Sequence, residues 1–207
     1  MAIGKLKLPA DIALPPKAKG VVVFAHGSGS SRLSSRNRRV ATSLNGAGFA
    51  TVLFDLLTEE EALDRGNVFD IALLGNRVAQ AIEFAQADSR LHGLPVGLFG
   101  ASTGAAAALV AAAERGEEIA AVVSRGGRPD LAAVSLPQVR AATLLIVGGN
   151  DQTVIELNRQ AFARLRCIKQ MEIVPGATHL FEEPGALDRV TDLASDWFAR
   201  FMRGGPQ

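Results

Sequence analysis

Apolar and polar positions along the chain fall into two alternating patterns. The run "VVVFAH" (21–26) is continuously β-branched and apolar, as a strand buried on both faces requires. The runs "FATVLFD" (49–55), "PVGLFG" (95–100), "AAVVSR" (120–125), "TLLIVGG" (143–149) and "MEIV" (171–174) repeat that pattern. Between them lie stretches of helical period, about 37–46, 68–88, 103–115, 153–166 and 185–202. In the second of these, Val68, Ile71, Leu74, Val78, Ile82 and Ala85 recur at helical spacing. Ahead of the first long run, residues 5–8 and 11–14 read as short edge strands, set apart by Pro15-Pro16. Strands alternating with helices predict an α/β fold, a doubly wound, mostly parallel sheet with helices on both faces. Neither an internal repeat nor a low-complexity linker divides the chain, so a single domain over 1–207 is expected.

In such sheets ligands bind at the carboxyl ends of the strands. The residues just past each strand are therefore the candidates for chemistry: His26-Gly27-Ser28-Gly29, Asp55, Ser102, Arg125-Gly126-Gly127, Asp151 and His179. Ser102 stands out because "GASTG" (100–104) has the form G-x-S-x-G with a strand before it and a helix after it. The turn is so tight that side chains at Gly100 and Gly104 would collide with their neighbours, and the serine hydroxyl is pushed outward. The same residues could instead make an ordinary serine N-cap on an alanine-rich helix.

A serine hydroxyl is a poor nucleophile at neutral pH and needs a base. The sequence holds three histidines. His92 precedes a strand and falls at the opposite edge of the sheet, and His26 belongs to the glycine loop, which leaves His179. The acid that orients the imidazole is expected at Asp151, after the next-to-last strand, with Asp130 a weaker rival and Asp55, Glu182 and Glu183 weaker still. The order Ser102, Asp151, His179 is the Ser…Asp/Glu…His order of α/β-hydrolases. Acyl transfer also needs backbone donors for an oxyanion. Thr103, the residue after the nucleophile, should supply one, and Ser28 in "HGSGS" the other. That loop lacks the GK[ST] ending and the spacing of a nucleotide-binding loop.

Composition narrows the partners. Lys and Arg number 22 against 21 Asp and Glu, a formal net charge of +1, which suggests neither nucleic acid nor a membrane surface. Cys167 is the sole cysteine, so no intrachain disulfide can form, in keeping with a reducing compartment. The N-terminal segment lacks a long apolar stretch, and a cytoplasmic location is the expectation. Arg32, Arg36, Arg38 and Arg39 follow the glycine loop, and Arg125 and Arg128 follow a strand. Arg32 and Arg125 are the candidates for binding an anionic substrate, since guanidinium pairs bidentately with carboxylate. Structural ion pairs with Asp55 or Asp130 are the alternative.

With "FAHGSGSS", "FGASTGAAAAL", "VVSRGGRPDL", "LLIVGGNDQTV" and "GATHLFEEPG" in this order, the chain resembles the α/β-hydrolase superfamily and, within it, the dienelactone-hydrolase-like group. The resemblance runs from about Val21 to Phe201. It implies a Ser102-Asp151-His179 triad and no metal or organic cofactor. Two departures stand beside it. Dienelactone hydrolase proper carries a Cys nucleophile, where this chain has Ser102, which argues against dienelactone as its substrate. Only residues 126–141 bridge two strands where many relatives insert a cap, so no large cap domain and a rather open site are expected. The reaction these features imply is cleavage of a small-molecule carboxylic ester or lactone through an acyl-enzyme. A thioesterase, an acyltransferase or a perhydrolase could use the same triad, and a non-catalytic binding module is the remaining alternative.

Overall fold

The computed structural model describes residues 1–202; residues 203–207, which the expected domain also includes, lie outside the described residues. Eight strands form one sheet: β1 (Ala2–Ile3), β2 (Leu8–Ala13), β3 (Val21–Ala25), β4 (Ala50–Phe54), β5 (Val96–Ala101), β6 (Ile119–Arg125), β7 (Ala142–Gly148) and β8 (Lys169–Val174). Their order is β1-β2-β4-β3-β5-β6-β7-β8. The pairings of β1 with β2 and of β2 with β4 are antiparallel, and the six strands β3 to β8 run parallel.

The continuous apolar runs are explained by what each face meets. In β3, Val21, Val23 and Ala25 join the core on the side of helices α3 (Ile71–Ala87) and α4 (Thr103–Arg115). Val22 and Phe24 join the core beneath α1 (Ser35–Gly46) and α6 (Ala186–Phe201). Both sets are buried, so no polar residue can alternate with them. Phe24 and Phe99, on adjacent strands, bring their rings to 4.9 Å. Ala105–Ala108 of α4 are fully buried, and their small side chains let that helix lie close to the sheet. Helix α5 (Gln152–Arg164) packs on the same side as α4 through Ala161. On α6, Val190, Ala194 and Phe198 face the sheet, and Trp197 Nε1 donates to the Ala142 carbonyl at 3.0 Å. The tail of Met202 packs at the amino rim of the sheet: a Cβ on Gly20, just before β3, would come within 2.6 Å of Met202 Cε.

Two boundaries differ from the sequence pattern. Of the edge strand expected at 5–8, residues 5–7 are a turn, closed by the Lys7 N–H on the Gly4 carbonyl at 3.2 Å with φ of 65° at Gly4 and 53° at Lys7, and Leu8 opens β2. The helix expected over 68–88 breaks at Asp70, whose carboxylate accepts from the Leu73 N–H at 2.9 Å and so starts α3 afresh. A short helix, α2 (Arg65–Phe69), precedes the break, begun by Asp64. Residues 126–141 contain two 3-10 turns, Pro129–Ala132 and Leu136–Gln138, which bury Pro129, Ala132 and Leu136 rather than forming a cap. No helix among the described residues is long and apolar enough to cross a membrane.

Candidate active site

β5 enters α4 through Ser102, whose backbone has φ 51° and ψ −123°. Such a conformation is costly for a residue with a Cβ, on the order of 1–3 kcal/mol, and persists only when its surroundings hold it. Here they do. The Ser102 carbonyl accepts from the N–H groups of Ala105 (3.1 Å) and Arg128 (3.0 Å), and its N–H donates to the Arg125 carbonyl at 3.3 Å. Gly100 and Gly104 are required by contact. A Cβ on Gly100 would lie 2.7 Å from the Ala105 nitrogen, and one on Gly104 would strike the carbonyl oxygens of Ala25 and His26. Ser102 occupies the N-cap position of α4, but its side chain makes no cap bond to that helix.

His179 and Asp151 meet at the same rim. Asp151 follows β7 and His179 lies in the loop after β8, and Asp151 Oδ2 is 2.8 Å from His179 Nδ1. The Asp151 side chain is 16% exposed and the His179 ring 38%. The ring lies beside Gly126, where a Cβ would be 3.7 Å from His179 Cε1. Gly126 follows Arg125, the residue whose carbonyl holds the Ser102 N–H. No hydrogen bond joins Ser102 Oγ to His179 Nε2 among the described residues.

The other histidines are used elsewhere. His26 Nε2 accepts from the Leu56 N–H at 3.1 Å, so Nδ1 carries the proton and donates to the Gly27 carbonyl at 3.0 Å. Burial holds this imidazole below its ordinary pKa. It is a neutral clamp between the loops after β3 and β4. His92 contacts the Gln86 carbonyl, beyond the far end of α3. Asp130 pairs with Arg128 at 2.8 Å.

The glycine loop lies against Ser102: a Cβ on Gly27 would be 2.9 Å from Ser102 Cβ. The Ser28 N–H, expected to face an oxyanion, donates to Thr103 Oγ1 at 2.9 Å. Arg32 and Arg125 go to different places. Arg32 pairs with Asp55 at 2.6 Å and approaches Asp11 at 3.6 Å. Arg125 is only 7% exposed, on the α1 side, where its guanidinium donates to Asn37 Oδ1 at 3.3 Å. Burial and the neighbouring Arg36 charge bring its pKa down to about 10, so it remains a cation at neutral pH.

A cavity of about 440 Å³ adjoins the loop. Gly27, Ser28 and Thr103 form the end towards Ser102, and Leu56, Leu57, Ala62, Val68 and Leu74 form much of its wall. Most of that wall lies beyond what the sequence pattern marks, since the β4 exit offers only Asp55 there; the apolar pair Leu56-Leu57 just past that strand is the available signal. Among the described residues, no group of three or more His, Cys, Asp or Glu side chains is placed to hold a metal ion.

Known proteins agree with this architecture. The family model described as "Dienelactone hydrolase family" matches residues 8–202. A crystal structure of dienelactone hydrolase from Anabaena variabilis is 54% identical, with a TM-score of 0.94 over 98% of this chain and 95% of that one. Est1E from Butyrivibrio proteoclasticus, at 15% identity, shares the fold with a TM-score of 0.81 over 97% of each chain. Two curated relatives from Mycobacterium tuberculosis strains, each provisionally named a phosphoribosyl transferase, are 57% identical over 204 residues. That match covers 98% of this chain but 46% of theirs, so the chain spans about half the length of these relatives. On the family match and the extent of these similarities, the chain belongs to the dienelactone hydrolase family.

Proposed function

We propose that this protein is a serine hydrolase that cleaves a carboxylic ester or lactone through an acyl-enzyme on Ser102. The observation that carries the reading is the serine held at φ 51° between Gly100 and Gly104, at the rim where His179 meets Asp151. Ser102 Oγ attacks the carbonyl carbon while His179 Nε2 takes its proton, and Asp151 accepts from Nδ1–H and stabilises the imidazolium. The carbonyl oxygen becomes an oxyanion held by the N–H groups of Thr103 and Ser28. The Ser28 N–H, positioned by Thr103 Oγ1, shares its hydrogen between that hydroxyl and the oxyanion. As the tetrahedral adduct collapses, the carbon–oxygen bond to the alcohol breaks and His179 returns its proton to the leaving oxygen. Water, deprotonated by His179, then attacks the acyl-enzyme, and release of the acid restores Ser102.

The phosphoribosyl-transferase name belongs to relatives of which this chain matches only 46% of the length. The test is labelling by a fluorophosphonate together with turnover of a p-nitrophenyl ester. The reading expects the label on Ser102 and loss of both signals in Ser102→Ala. Labelling elsewhere, or esterase activity that survives in Ser102→Ala, would overturn it.

A further inference from the structure

The cavity beside Ser102 has walls and charges of its own. Of its apolar lining, Leu56 and Leu74 are buried, and Leu57 and Val68 are half-buried. The charged residues on its lining are Arg32, Asp55 and Glu59. Arg32 is already neutralised. Its guanidinium meets Asp55 Oδ2 at 2.6 Å, and its backbone N–H meets Asp55 Oδ1 at 2.7 Å. Its Nε also lies 3.6 Å from Asp11. Glu59 is exposed at the mouth and has no basic partner among the described residues. The nearest strand-exit cation on the other side, Arg125, does not line the cavity. Ser28, Ser30, Ser31, Thr58 and Thr103 also line the cavity, so a carboxylate entering here would meet hydroxyls, but it would find no free cation to replace the water lost against the apolar part of the wall, and would face Glu59.

We infer that this cavity is the acyl pocket and that it takes an uncharged, apolar acyl group in preference to a carboxylate-bearing one. The inference rests on the hydrolase reading for its chemistry but not for its binding. Ser102 does not itself line the cavity, but Gly27 and Thr103, which do, adjoin it, so an acyl chain lying in the cavity would have its carbonyl end nearest to the nucleophile. At about 440 Å³ the space is at the lower end of ligand pockets. A chain of about six carbons fits within it with room to spare.

Binding and turnover test this separately. In titration calorimetry on the Ser102→Ala protein, hexanamide should bind about tenfold more tightly than hexanoate, the cost of burying an unpaired charge. Val68→Trp, from the half-buried wall, and Ala62→Phe, from the more exposed wall, should each weaken hexanamide by about tenfold. Glu59→Lys should narrow the preference for the amide by about threefold, as expected of one exposed charge. In the active protein, Val68→Trp should lower the ratio of p-nitrophenyl hexanoate to acetate turnover. Absence of hexanamide binding, equal binding of hexanoate, or affinities untouched by both wall variants overturns the pocket. Absence of any ester turnover removes the hydrolase reading, and the calorimetric preference still decides the pocket.

Discussion

Asp151 Oδ2 accepts from His179 Nδ1 at 2.8 Å, tying the turn after β7 to the loop after β8. The bond fixes the imidazole tautomer, because a proton held on Nδ1 leaves Nε2 with its lone pair towards the open rim. Asp151→Asn keeps the shape but loses the charge and offers an N–H to the ring. Turnover of a p-nitrophenyl ester should fall by about 10³–10⁴ with the fold intact by circular dichroism. A loss under about tenfold would mean that Asp151 does not orient the base.

The backbone at Ser102 gives a second expectation that has no activity readout. Ser102→Ala keeps a Cβ at φ 51° and keeps its strain. Ser102→Gly relieves it. Although glycine ordinarily destabilises by about 0.5–1 kcal/mol relative to alanine, the glycine variant should here be the more stable by about 1 kcal/mol in urea denaturation. The reverse order would show that the strain is absent in solution.

His26 should make stability depend on pH. Its folded pKa lies below the ordinary value of 6.5, because burial disfavours the imidazolium and Nε2 is occupied by the Leu56 N–H. The unfolded chain therefore binds this proton first as pH falls. Its contribution is fully present above the ordinary value and is lost as pH drops through 6.5 towards the folded value. The slope it adds is at most ~1.4 kcal/mol per pH unit. The fall in urea midpoint between about pH 7 and 5 should be shallower in His26→Gln. An unchanged slope would remove His26 as its source.

Thr103 combines an observed contact with a proposed oxyanion donor, and the two can be separated. Its side chain anchors the Ser28 N–H at 2.9 Å. Thr103→Val removes that acceptor and frees the loop after β3, whereas Thr103→Ser retains it. Valine should lower kcat by about tenfold with KM little changed, less than the 100- to 1,000-fold seen on removing an oxyanion donor outright. Serine should restore most of the activity. Equal rates in the two variants would leave the anchor without a part in turnover.

The sheet and the order of its long strands were legible because burial on both faces leaves unbroken apolar runs, as in β3 and β7. The short elements were less so. Lys7 and Asp70 carry no apolar signal, and their effect is exerted through a turn and a cap that a helical or alternating pattern overruns. At the site, "GASTG" and the residues after β7 and β8 were readable because strand ends are marked by the glycines and aspartates that follow them. The fate of the arginines was not. Whether a guanidinium meets Asp55, as Arg32 does, or is buried against Asn37, as Arg125 is, depends on which elements the fold brings side by side.

Met202 packs near Gly20 and Gly97, at the end of the strands opposite to Ser102, Asp151 and His179. A surface linker or an appended domain joined after α6 would thus leave from the back of the molecule. An immobilised form anchored there should present its reactive rim outward, with substrate access unaltered by the attachment.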